Sequence, residues 1–97
     1  MSNVQLCLCT LTLHLPGVTS LKQKRGIVKS MLARIRNQFN VSVAEVGEND
    51  KWQLAQIAFV SVSNSTVLSQ NVIDTILDFI EDRFTDVLIT KQDIELI

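Results

Sequence analysis

Ninety-seven residues, 46% of them apolar, are enough for one domain with its own core and too apolar for a disordered chain. The formal net charge is −1, which supplies no general attraction to a polyanion. Apolar runs are only a few residues long, well short of the roughly 20 that span a membrane, and no cationic segment precedes an apolar one at the N-terminus. A single domain over 1–97, located in the cytoplasm, is the expectation.

The first element, Asn3 to Leu15, reads as a strand. Val4, Leu6 and Leu8 alternate on one side, and Cys7, Cys9, Leu11 and Leu13 on the other. Apolar residues on both faces suit a central strand. Pro16-Gly17 signals a turn. Ser20 to Phe39 then reads as a long amphipathic helix, with Leu21, Val28, Met31, Leu32, Ile35 and Phe39 at helical spacing. Ser20 and Gln23 stand at the two positions of a capping box. Gly26 within the helix marks either a close approach to the sheet or nothing. Asn40 suits the left-handed position that follows a helix.

Val41 to Val46 reads as a second strand, and Gly47 to Asp50 as a turn. Trp52 to Val62 is a third strand, again apolar on both faces, with Trp52 opening it as a packing residue. Ser63 to Thr66 is a run of cap-forming residues. Val67 to Phe84 reads as a second helix, with Asp74, Asp78, Glu81 and Asp82 clustered on its polar half. Asp86 to Leu96 closes the series as a fourth strand whose Lys91, Asp93 and Glu95 alternate outward, as suits an edge. The order βαββαβ gives the α+β ferredoxin-like sandwich: a four-stranded antiparallel sheet with two helices on one face, strands one and three in the centre. Its open face should carry apolar side chains and favour a homo-oligomer.

The charge is unevenly placed. Residues 1–44 hold six Lys/Arg and no Asp/Glu, whereas residues 45–97 hold three Lys/Arg and ten Asp/Glu. Within the first helix, Lys22, Arg25, Lys29 and Arg36 project within an arc of about 60°, beside the apolar face. This stripe is the candidate nucleic-acid contact. It either stays free to meet phosphates or docks on the acidic half of the second helix.

Catalytic chemistry finds little to stand on. Cys7 and Cys9 share one strand face and read as core thiols; two cysteines and one histidine fall short of a zinc site. His14 has the opposite parity to both cysteines, which argues against a dyad. There is no glycine-rich phosphate loop and no aromatic pair on the central strands for stacking bases. No cofactor, metal or catalytic residue is therefore expected, and Glu45 reads as an edge-strand charge.

The segments LPGVTSLKQKR at 15–25, RIRNQFNVSVAEV at 34–46, Trp52-Gln53 with Ala55, and FVSVSN at 59–64 resemble the YlxP-like family of small bacterial proteins of unknown function. The resemblance runs through nearly the whole chain in one order. It implies a ferredoxin-like domain and, from the frequent gene setting of its members among translation factors, an RNA or ribosome partner. Where that family often carries a further cation after Lys24-Arg25, this chain has Gly26. Two functional readings follow: a non-enzymatic RNA-associated module acting through the basic helix, or a homo-oligomeric scaffold domain that touches no nucleic acid.

Overall fold

The structure is a computed structural model that describes residues 3–97; Met1 and Ser2, the first residues of the expected domain, lie outside the described residues. The elements are β1 (Gln5–His14), α1 (Leu21–Gln38), β2 (Ser42–Gly47), β3 (Leu54–Ser63), α2 (Thr66–Arg83) and β4 (Leu88–Leu96). The four strands form one antiparallel sheet in the order β2-β3-β1-β4. The ferredoxin-like arrangement is therefore present, with β1 and β3 central as their two-faced apolarity requires.

Period-two patterning sets the registers. Cys7, Cys9, Leu11 and Leu13 stand opposite Ser61, Phe59, Ile57 and Ala55, and all eight are buried. Val28, Met31 and Ile35 of α1 and Ile73, Ile76 and Ile80 of α2 close the core above them. Each such side chain contributes about 1.5–3 kcal/mol on leaving water. The helices are also joined through rings. Phe39 meets Phe79 edge-to-face at 5.5 Å, and the Arg34 guanidinium lies over Phe84 at 5.3 Å.

Two local expectations are revised, and one left open is settled. Asn40 does not take the left-handed position: Glu48, at φ 60°, is the one non-glycine with positive φ among the described residues. α1 ends instead with Phe39 turning extended while its N–H still reaches the Ile35 carbonyl. Trp52 does not pack in the core. It precedes the strand and is 52% exposed; the last β1–β3 backbone bond falls one residue later, from the Leu15 N–H to the Gln53 carbonyl, and the Gln53 side chain bonds the Pro16 and Val18 carbonyls through Nε2. Gly26 marks no close approach, since a methyl group there would have nothing within 4 Å.

The open face, finally, is apolar toward its two ends and polar between them. Leu6, Leu8, Val60 and Val62 cluster at one end and Leu54 and Leu88 flank His14 at the other, whereas Thr10, Thr12 and Gln56 occupy the middle and Lys91, Asp93 and Glu95 line the β4 margin.

Candidate nucleic-acid interface

α1 begins at Ser20, whose extended backbone lets Oγ accept from the Gln23 N–H at 3.1 Å. The Gln23 side chain reaches back one residue beyond the expected partner: its Oε1 accepts from the Thr19 N–H at 2.9 Å and from the Thr19 hydroxyl. With the start fixed, the helical period places Lys22, Arg25, Lys29 and Arg36 on the exposed side.

Three of these four come together. Arg25, Lys29 and Arg36 rim a shallow groove of about 260 Å³ between α1 and the β2 edge, floored by Val28, Leu32 and Glu45. Lys22 is set apart, beside a separate depression shared with Gln23, Ile27 and Phe84. Arg36 is oriented by donating from Nη2 to the Val43 carbonyl of β2 at 3.0 Å. None of the four takes part in an ion pair among the described residues. Asp74, Asp78, Glu81 and Asp82 of α2 are likewise exposed and unpaired among them. The docking of stripe on acidic helix within one chain does not occur.

The sequence reading overlooked Lys24. Its side chain is 1% exposed, and its ammonium donates to the Glu48 carbonyl and lies 3.5 Å from Glu45 Oε2. The Glu48 carbonyl also accepts from the Lys51 N–H, so two donors hold the loop residue that carries the positive φ. A signal was available. Leu21, Lys24, Val28, Met31 and Ile35 follow the spacing 3-4-3-4, so position 24 belongs to the packed face. Glu45, taken for a plain edge charge, faces inward beside Ile57 in register and is the carboxylate partner of this lysine. Its negative charge at the floor of the groove is thereby balanced from within.

Other side chains bear on reactivity. Burial raises the Cys7 thiol above its ordinary range; burial first, then Cys7 and Asp93, push Cys9 up to about 11. Both cysteines are free and fully buried, so neither is a thiolate nucleophile at neutral pH. His14 lies across β3 from Leu54 on the open face, away from both. No three His, Cys, Asp or Glu residues form a metal-holding group, and no helix is long and apolar enough to cross a membrane, among the described residues.

Fold and site together define a small ferredoxin-like α+β domain with a cationic groove along its first helix. Residues 6–94 match the model of DUF503, described as a protein family of unknown function, and the chain belongs to that family. It is 40% identical over 68 residues to the uncharacterized protein YlxP of Bacillus subtilis (strain 168), covering 70% of this chain and 73% of that protein. Among solved structures it is similar to the de novo designed protein Foldit4, with TM-score 0.55, 10% identity and 96% of each chain covered. It is also similar to a variant of SnoaB, a cofactor-independent oxygenase from Streptomyces nogalater. That match has TM-score 0.47 and 10% identity, with 99% of this chain and 92% of that one covered.

Proposed function

We propose that this protein is a non-enzymatic RNA-associated module that holds a phosphate backbone in the groove between α1 and β2. The observation that carries the reading is the grouping of Arg25, Lys29 and Arg36 around one groove with no carboxylate of α2 spent on them. Contacts of this kind position a strand without reading its bases. Lys22 extends the row along the helix toward its N-terminus. A ribosomal setting fits the family resemblance, and no catalytic step is part of the proposal.

The test is binding of single-stranded ribosomal RNA fragments at increasing salt. Four phosphate contacts to a single strand predict a slope of about −3 in log affinity against log salt. Lys29→Glu with Arg36→Glu should abolish binding for every sequence tried. Undetectable binding at low salt, or an unchanged affinity in the double variant, would remove RNA from this helix.

A second reading is self-association through the open sheet face. Leu6, Leu8, Val60 and Val62 form one apolar end of it, and the neighbouring margin of β4 carries Lys91 with Asp93 and Glu95. That margin holds both signs of charge, so a two-fold-related copy of the chain can pair with it. Sedimentation should then show a dimer that Val62→Glu dissociates; a monomer at high micromolar concentration ends this reading.

A further inference from the structure

A second concavity lies where α1 ends and α2 begins, above the far end of β3. It measures about 470 Å³ and carries no Lys, Arg, Asp or Glu. Its apolar wall is Phe39, Leu68 and Val72, and its rim carries the carboxamides of Gln38, Asn40 and Asn71. Those three side chains are exposed and make no hydrogen bond to another described residue.

The feature that sets this cleft apart is Ser61. It lines the cleft, is 3% exposed, and its hydroxyl has no hydrogen-bond partner. The hydroxyls around it are committed. Ser63 Oγ donates to the Ser65 carbonyl at 2.8 Å and lies 2.8 Å from Ser69 Oγ; Thr75 Oγ1 donates to the Asn71 carbonyl at 2.7 Å. A buried hydroxyl left without a partner is costly, and a native fold tolerates it where something else completes the bond.

We infer that this cleft binds an uncharged nucleobase, with Ser61 Oγ bonding its inner edge. The absence of charged side chains from the lining selects a neutral ligand. Phe39, Leu68 and Val72 suit the faces of a flat ring, and the volume suits one ring system with its sugar outside. A carboxamide presents a donor and an acceptor side by side, the pattern that pairs with the edge of a base. Unpaired bases are recognised by this combination of apolar contact and edge hydrogen bonds. The base belongs to a free nucleoside or to a single-stranded RNA. The inference rests on Ser61 and its cleft and does not require the groove at α1.

The experiment titrates adenosine, guanosine, cytidine and uridine separately into the isotope-labelled protein, reading amide shifts by NMR. At least one nucleoside should move a group of amides confined to residues 38–40, 61–63 and 68–75. Ser61→Ala should weaken that titration about tenfold, the size of one hydrogen bond, while leaving the free protein as stable as before or more so. A purely structural serine would give the reverse: lower stability and no change in titration.

Short single-stranded RNAs distinguish the source. In the Lys29→Glu, Arg36→Glu variant their overall affinity falls if the groove holds phosphates, yet the shifts at the cleft persist. Failure of the groove reading leaves the nucleoside result intact. No shift at millimolar concentrations of all four nucleosides, shifts located elsewhere, or an unchanged titration in Ser61→Ala overturns the inference, water then being the only partner of that hydroxyl.

Discussion

The two helices are built to the same plan and differ in what they bury. Each is 18 residues long, starts at a serine whose hydroxyl accepts from the N–H three residues on, and stops at a phenylalanine whose N–H returns to an isoleucine carbonyl. Each also sets one polar side chain in its packed face. In α1 that is Lys24, a full charge taken out of water and answered by the Glu48 carbonyl and the Glu45 carboxylate. In α2 it is Ser69, a neutral hydroxyl answered by Ser63. The neutral pair ties a helix start to the end of the strand before it. The buried charge ties a helix to the hairpin loop 24 residues away, and its loss leaves a carboxylate exposed to a far larger imbalance. The same scaffold therefore carries one weak and one strong polar anchor, the strong one beneath the cationic groove.

The largest effect that would break this contrast is at Lys24. Lys24→Ala should destabilise by about 3 kcal/mol, at the low end for a broken buried pair because Glu45 is still 20% exposed. Lys24→Met keeps the apolar stem and should recover part of that; equal losses for the two variants in denaturant melts would mean that the charge alone, with no share from packing, is what Lys24 supplies. Ser69→Ala should cost less, about 1 kcal/mol, since it removes one neutral hydrogen bond while Ser63 keeps its bond to the Ser65 carbonyl. A melt as severe as that of Lys24→Ala would erase the distinction between the anchors.

Gly26→Ala should have the opposite sign. The position is exposed, helical and open on all sides, so alanine should raise stability by about 1 kcal/mol. The smallest effect belongs to the groove rim: Lys29→Ala should stay within about 0.5 kcal/mol in thermal unfolding while weakening RNA. A larger stability loss would place Lys29 among the packed residues rather than on the surface.

Much of this architecture could be read from residue order. Two-faced apolarity in β1 and β3 put them at the centre, and the alternation of Lys91, Asp93 and Glu95 put β4 at an edge. What escaped reading depends on partners distant in the chain. Lys24 passes as one cation among the six of its half of the chain, although its spacing is correct for burial. Trp52 was given to the core because an aromatic before an apolar run extends a strand by pattern. The pairing of Leu15 with Gln53, after which the two chains part and leave Trp52 outside, appears only when the two loops meet. Arg25, Lys29 and Arg36 were grouped by helical period, but their separation from Lys22 depends on where β2 lies. The Ser61 cleft had no local mark at all: an alternating Ser in a strand looks alike whether its hydroxyl is answered or not.

The sheet order has a consequence for synthesis. β1, near the start of the chain, is flanked on one side by residues 54–63 and on the other by residues 88–96. During translation it must wait, first for β3 and then for β4, with Leu6 and Leu8 and the thiols beneath them uncovered. Cys7 meets Leu96 only after the 88 residues between them have left the ribosome. Domains dominated by such distant pairings fold slowly and expose strand edges while they wait. A nascent chain stalled before residue 88 should therefore remain open to proteases and chaperones, and acquire protection only when the last strand emerges.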